Sequence, residues 1–322
     1  MLSFSDFFRL TISEEETMKY LATLKALALA VAVSLTLVAC DEEDSNPIDA
    51  DPDVSAPSSL KAASADGAIL LSWTASVSES ASNFGSYEIA VLNKTTGTTL
   101  APRTAAKGIT SLRIDGLKNG DRYEFTVRSL TTAGKKSTGF AQLEWSPAYR
   151  QTVDAMGNVI KVYATTSTNF NSGIDLFNAD KKAEVIPQSG QIFRDRGDLY
   201  VFAENNTSAL SIISPDQASN KGLETQFSSV APADADDLNA HLLGTAPATN
   251  SYTLKQFTIS DVAVTTGKVY FGRLVRGTDN YYFRMLIKRG SNGKLIQGSG
   301  ADRYVELVVS FQDAANVPFA KK

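Results

Sequence analysis

Leu117-Lys118-Asn119-Gly120-Asp121-Arg122-Tyr123-Glu124-Phe125-Thr126-Val127 is the stretch from which the fold of this chain reads outward. Asn119-Gly120 is a turn dipeptide, and behind it Tyr123, Phe125 and Val127 recur at every second position. A period of two places alternate side chains on one face of a half-buried strand. The same alternation appears to either side. Ile69, Leu71 and Trp73 share a face, as do Tyr87, Ile89 and Val91, and Leu112 with Ile114. Turn signals separate the runs at Asp66-Gly67, Thr96-Gly97 and Ala133-Gly134. About seven short strands at this spacing predict a β-sandwich over residues 54–147.

Within that span the residues resemble a fibronectin type III domain. Pro57 and Leu60 stand where its first strand begins, and Trp73 matches the core tryptophan of its second. Leu117 to Tyr123 matches the loop that carries Leu, Gly and the corner tyrosine, and Gly134-Lys135-Lys136-Ser137 the turn into the last strand. Asn119 departs from the pattern, where proline is usual. The resemblance implies that Tyr123 buries its ring and bonds its hydroxyl to nearby backbone. It also implies a spacer or a protein- or glycan-contact module, because none of these residues carries chemistry.

Pro147 discourages continued strand pairing, and alternation resumes from about Asn158. Strands are expected at Ile160–Ala164, Asp198–Ala203, Ala209–Ile213 and Tyr252–Ile259. Clearer ones follow at Lys268–Val275, Tyr281–Lys288, Leu295-Ile296 and Arg303–Phe311. Asp234–Leu243, with acids in its first turn and Gly244 behind it, is expected to be a helix. Residues 153–322 therefore predict a larger antiparallel sandwich of jelly-roll type, and the fold class is all-β. The strand series Tyr270-Phe271, Tyr282-Phe283-Arg284-Met285 and Tyr304-Val305-Glu306-Leu307 faintly resembles the C-terminal modules of exported lipoproteins that capture haem or other ligands.

The chain holds one cysteine and one histidine, which excludes an internal disulfide and a cysteine-based zinc site. The cysteine has another use. From Met18 a short basic start leads into the apolar stretch Ala26–Leu37, then Val38-Ala39-Cys40. That run is too short to span a membrane comfortably and has the layout of a signal peptide at 18–39. Leu37-Val38-Ala39-Cys40 resembles the lipobox of bacterial lipoproteins, which implies lipid attachment at Cys40 after cleavage before it. Residues 1–17 carry Glu14-Glu15-Glu16 where a basic region belongs, so Met18 is expected to be the true start.

Behind Cys40, residues 41–53 hold seven acids and no base, so 40–53 reads as an acidic tether. Asp41, Glu42, Glu43 and Asp44 resemble the acidic signals that send lipoproteins to the outer face in some Gram-negative lineages. From Val54 onward the balance is 24 acids against 28 bases. That near neutrality, without a basic stripe, speaks against nucleic acid.

Constellations for chemistry are sparse. His241 on the expected helix reads as an ordinary helix residue, although with Met156 or Met285 it forms a conceivable haem ligand pair. Asp234, Asp236 and Asp237 lack the glycine and final glutamate of a calcium loop and read as helix-start acids. Arg196-Gly197-Asp198 reads as a turn before a strand rather than an integrin signal. Of Tyr281-Tyr282-Phe283, alternation sends one or two rings into the core.

The expected function is a lipid-anchored, surface-exposed outer-membrane protein with a non-enzymatic binding or structural role, contacting glycan or protein without a cofactor. The alternatives are a carbohydrate-active enzyme and haem-type ligand capture. A cluster of polar side chains in a second-sandwich cleft would favour the enzyme, and a flat exposed aromatic platform would favour binding.

Overall fold

The computed structural model describes residues 53–204, 208–218 and 222–319. Cys40 and the acids Asp41, Glu42, Glu43 and Asp44 lie outside the described residues, as do the segments 1–17 and 18–39. Asp53 alone of the expected tether is described.

The first sandwich contains β1 (Ser58–Ala65), β2 (Ala68–Thr74), β3 (Phe84–Asn93), β4 (Thr98–Ala106), β5 (Ser111–Asp115), β6 (Tyr123–Thr131) and β7 (Ala141–Trp145). A three-stranded sheet, β1-β2-β5, faces a four-stranded sheet, β4-β3-β6-β7. The expected alternation is realised in β6 and, from Tyr87 onward, in β3, where every second residue is buried. Ile69, Leu71, Trp73, Tyr87, Ile89, Val91, Phe125 and Val127 fill the space between the sheets. Trp73 meets Tyr87 edge to face, with centroids 5.5 Å apart. The Tyr123 hydroxyl accepts the Lys118 backbone N–H at 3.0 Å, which ties the corner to the strand as expected.

Beyond β7 the chain crosses three buried residues, Ser146, Pro147 and Ala148, and starts the second sandwich. It contains β8 (Tyr149–Gln151), β9 (Ile160–Tyr163), β10 (Gly173–Asp175), β11 (Glu184–Ile186), helix α1 (Gly190–Arg196), β12 (Leu199–Ala203) and β13 (Leu210–Ile213). Then come β14 (Glu224–Ser228), β15 (Ala233–Asp234), β16 (Tyr252–Leu254), β17 (Gln256–Ile259) and β18 (Lys268–Arg276). The last are β19 (Asp279–Ile287), β20 (Ile296–Gln297) and β21 (Tyr304–Phe311). A five-stranded sheet, β11-β10-β12-β13-β17, packs on a nine-stranded sheet built along β16-β14-β18-β19-β21-β20, with β8, β9 and β15 paired at its side. Among the described residues the named strands pair antiparallel, and the larger sandwich expected after the first is present.

Strand β19 explains how the two sandwiches meet. Its residues from Tyr282 to Ile287 are all buried, with no exposed alternate. Phe283, Met285 and Ile287 point into the core shared with the five-stranded sheet. Tyr282 points the other way, into the core cluster of the first sandwich, where Ala246, Tyr252, Phe271 and Phe319 join it. A strand buried on both faces loses its period-two signature. Backbone bonds also cross the junction: Ala62 and Leu243 exchange N–H···O pairs at 2.8 and 2.9 Å.

The expected helix at Asp234–Leu243 does not form. Asp234 sits in β15 and pairs with Lys268 at 2.7 Å. Asp236 accepts Gly267 N–H at 3.0 Å, and Asp237 accepts Asn239 N–H at 2.8 Å. Of the three, only Asp237 binds local turn backbone, the conformation in which Asp competes against a helix. Asp234 and Asp236 are taken by Thr266, Gly267 and Lys268, distant in sequence. The α-helix found among the described residues is α1, which anchors by Phe193 alone.

Candidate functional site

Two places on the second sandwich concentrate side chains of interest. The first is a row of rings. β9 alternates Ile160 and Val162 inward with Lys161 and Tyr163 outward, and β21 does the same with Val305 inward and Tyr304 and Glu306 outward. Register sets Tyr163 opposite Tyr304, with centroids 5.0 Å apart. Phe170 returns from the following loop and stacks on Tyr163 at 4.1 Å and 17°, yet it remains 49% exposed.

That loop is held in place. Ser167 Oγ donates to one oxygen of Asp302 at 2.7 Å and Asn169 Nδ2 to the other at 3.2 Å. Ser167 Oγ also accepts the Phe170 N–H at 3.1 Å. At the far end the Lys161 ammonium lies 5.0 Å over the Tyr304 ring, and Tyr304 OH donates to Gln297 Oε1 at 3.4 Å. The result is a half-exposed aromatic platform with an ammonium, an amide and carboxylates around it. Such surfaces bind by ring stacking and hydrogen bonds at the rim.

The second place is a cleft of about 390 Å³, lined among others by Asp175, Arg196, Asp198, Arg276, Phe177 and Tyr281. Its volume suits a small molecule, and its polar residues meet the criterion that would favour an enzyme. Their bonds argue differently. Asp198 is 3% exposed; one oxygen accepts Leu176 N–H at 2.7 Å and the other is paired with Arg276. Burial pushes the Asp198 carboxyl up to about 7, against the pull of Arg276. Asp175 is also raised by burial; it accepts Phe177 N–H at 3.1 Å and lies 3.6 Å from Arg196 Nε. Both acids are committed to internal donors, an ion network that perturbs proton affinity without freeing a proton for a substrate.

Arg196-Gly197-Asp198 therefore ends α1 and buries its aspartate, and Leu199 opens the strand as expected. Gly197 is required by close approach, because a Cβ there would meet Phe193 Cδ2 at 2.5 Å. His241 is not on a helix. It is 9% exposed, packs 5.8 Å from Phe271, and burial with the nearby Arg284 charge lowers it to about 4. Met285 lies on the opposite face of the nine-stranded sheet, and Met156 is 81% exposed on a turn. The conceivable His241–Met285 ligand pair is thus divided by the sheet. Of the three successive aromatics, Tyr282 and Phe283 are buried on opposite faces and Tyr281 lines the cleft. Among the described residues no group of three or more His, Cys, Asp or Glu is placed to hold a metal ion.

The geometry of the first sandwich, with its corner tyrosine and its three- and four-stranded sheets, agrees with comparison to known proteins. Residues 55–142 match the family model for the fibronectin type III domain. This segment is a fibronectin type III domain. An FN3 domain of human collagen XX is 19% identical, covering 33% of this chain and 99% of that one, with a TM-score of 0.24. The FN5 domain of Drosophila Lar is 18% identical, covering 29% of this chain and 97% of that one, with a TM-score of 0.23. The Clostridium perfringens spore cortex lytic enzyme SleM is 18% identical over 29% of this chain and 28% of its own, with a TM-score of 0.24. No curated protein matches the chain. Fibronectin type III domains are typically non-catalytic, and this one suggests a role of binding or adhesion type.

Proposed function

We propose that this chain is a lipid-anchored, surface-displayed binding protein that contacts glycan through the second sandwich. The observation that carries the reading is the Phe170–Tyr163–Tyr304 row, in which Phe170 stays 49% exposed and both tyrosines are half-buried, while the acids of the cleft are engaged internally. Pyranose rings present apolar C–H faces that stack on aromatic rings, and Lys161, Gln297 and Asn169 offer polar groups beside the row for hydroxyls or a uronate. The lipobox-like run ending at Cys40 supplies the anchor, and the acids Asp41–Asp44 direct the protein to the outer leaflet of an outer membrane. The fibronectin type III domain is then the rigid base of the binding sandwich.

The test is a glycan array probed with the full chain and with Tyr163→Ala and Phe170→Ala. Retention on a defined set of glycans that falls at least tenfold in both variants supports the reading. Retention unaffected by either variant, or none by the parent chain, removes it.

A second reading, a carbohydrate-active enzyme, rests on Asp175 and Asp198 lining one cleft, and it requires Asp198 to leave its internal donors Leu176 N–H and Arg276. Release of reducing sugar from polysaccharides, lost in Asp198→Asn, would establish it in place of the first.

A further inference from the structure

Three adjacent strands of the nine-stranded sheet set two arginines on either side of a serine. Arg284 of β19 is in register with Ser310 of β21, and Ser310 with Arg150 of β8. Residues directly opposite one another on neighbouring strands point to the same face. Here that face is turned to the fibronectin type III domain, since Arg150 Nη2 and Arg284 Nη2 both donate to Ser64 O, at 2.5 and 3.3 Å. Arg284 and Ser310 have no exposed surface, and the Arg150 side chain is 13% exposed. Each of the three keeps a buried polar atom without a partner: Nε of both arginines and Oγ of Ser310.

The charges do not balance. Arg284 is held by two carbonyls, Ser64 O and His241 O, each at 3.3 Å, and by the Phe319 ring face 5.2 Å away. Arg150 has Asp237 at 3.7 Å, an acid whose side chain is 60% exposed. Among the described residues no other carboxylate forms an ion pair with either arginine. Arg113 adds a further cation felt by Arg150, and His241 stands beside the row as a largely neutral imidazole. Burial, and then the charge of Arg150, lowers Arg284 to about 9, which leaves it charged at neutral pH. Two buried guanidinium ions thus share one peripheral acid, whereas buried charges are ordinarily paired.

We propose that the Arg284–Ser310–Arg150 row is a binding site for a small monovalent inorganic anion, chloride in physiological media, seated between the two sandwiches. The excess of one positive charge sets the valence. The two arginine strands lie two sheet spacings apart, about 10 Å, with Ser310 midway. An ion above Ser310 would accept from its hydroxyl and from the unpartnered Nε–H groups of both arginines. Arg284 and Ser310 have no exposed surface, which favours a small ion over phosphate or an organic acid. Occupied, the site supplies the missing counter-charge where the sandwiches join.

The experiment is thermal unfolding of the purified full chain at fixed ionic strength, with sodium isethionate exchanged stepwise for sodium chloride. A saturating rise of several degrees is expected. In Ser310→Ala, which keeps the fold if it melts in one cooperative step, the chloride concentration for half the rise should increase at least tenfold. Crystals soaked in sodium bromide should show an anomalous peak above Ser310. Unfolding that responds equally to both salts, a chloride response unchanged in Ser310→Ala, or crystals without bromide at the row would each overturn the site.

Discussion

Trp145 Nε1 donates to Ser64 Oγ at 2.8 Å, and Ser64 Oγ donates in turn to Ser146 O at 2.8 Å. One small hydroxyl therefore satisfies a buried indole of β7 and the first residue of the connector, while the carbonyl of the same serine receives Arg150 and Arg284. Ser64→Ala leaves the indole N–H without a partner in the interior. The expected loss is about 1–3 kcal/mol, read as a lower midpoint in urea with an unchanged slope. A midpoint within error of the parent would show that the indole finds another acceptor.

Trp73→Ala should destabilise the fibronectin type III domain by about 3–5 kcal/mol, through lost burial and a residual cavity beside Tyr87. Tyr123→Phe removes only the bond from Lys118 N–H, with an expected loss of about 1 kcal/mol. Equal effects from the two would contradict the packing assigned to Trp73.

His241 gives stability a pH dependence of definite sign. Its folded-state proton affinity lies below the ordinary histidine value because burial and Arg284 disfavour the cation. The unfolded chain therefore takes up the proton first, and stability is lost as pH falls from about 6.5 to about 4. His241→Gln should flatten that part of the curve by at most about 3 kcal/mol. Denaturant midpoints at closely spaced pH values in both proteins would test this, and parallel curves would refute it.

Cys40→Ala should release the protein from membranes without unfolding either sandwich, because the thiol is the expected lipid attachment site. Membrane partitioning of the variant in detergent-free buffer would contradict the anchor.

Replacing Asp41–Asp44 with Ser and Asn separates a sorting signal from a mere tether. Loss of protease shaving on intact cells, at unchanged total protein, is expected for a signal. Equal shaving of both versions would leave only the tether.

The central fibronectin type III strands were legible because they bury one face, so Tyr123, Phe125 and Val127 alternate cleanly between turn residues. The aromatic platform was not. Tyr163 and Tyr304 were visible as strand residues, but their register depends on strands far apart in sequence, and Phe170 sits on a loop where no periodicity marks it. The exchange of helices has a similar origin. Asp234–Leu243 shows helix-like acids, two of which are taken instead by Thr266, Gly267 and Lys268, distant in sequence, whereas α1 is short and begins at Gly190, with one buried side chain to announce it. Asp198 read only as the end of a turn before a strand because nothing local foretells Arg276, which arrives from β18.

The buried connector Ser146–Ala148 has a consequence for how such a gene can be rearranged. Fibronectin type III segments travel between proteins most easily as beads on a string, with solvated flanks at both ends. Here one flank is completed by Tyr252, Phe271, Tyr282 and Phe319 from the neighbouring sandwich. A coding segment for residues 54–147, copied or moved elsewhere, would carry an unfinished apolar side and be prone to stick. Recombination should therefore transmit the two sandwiches together, as a single heritable unit.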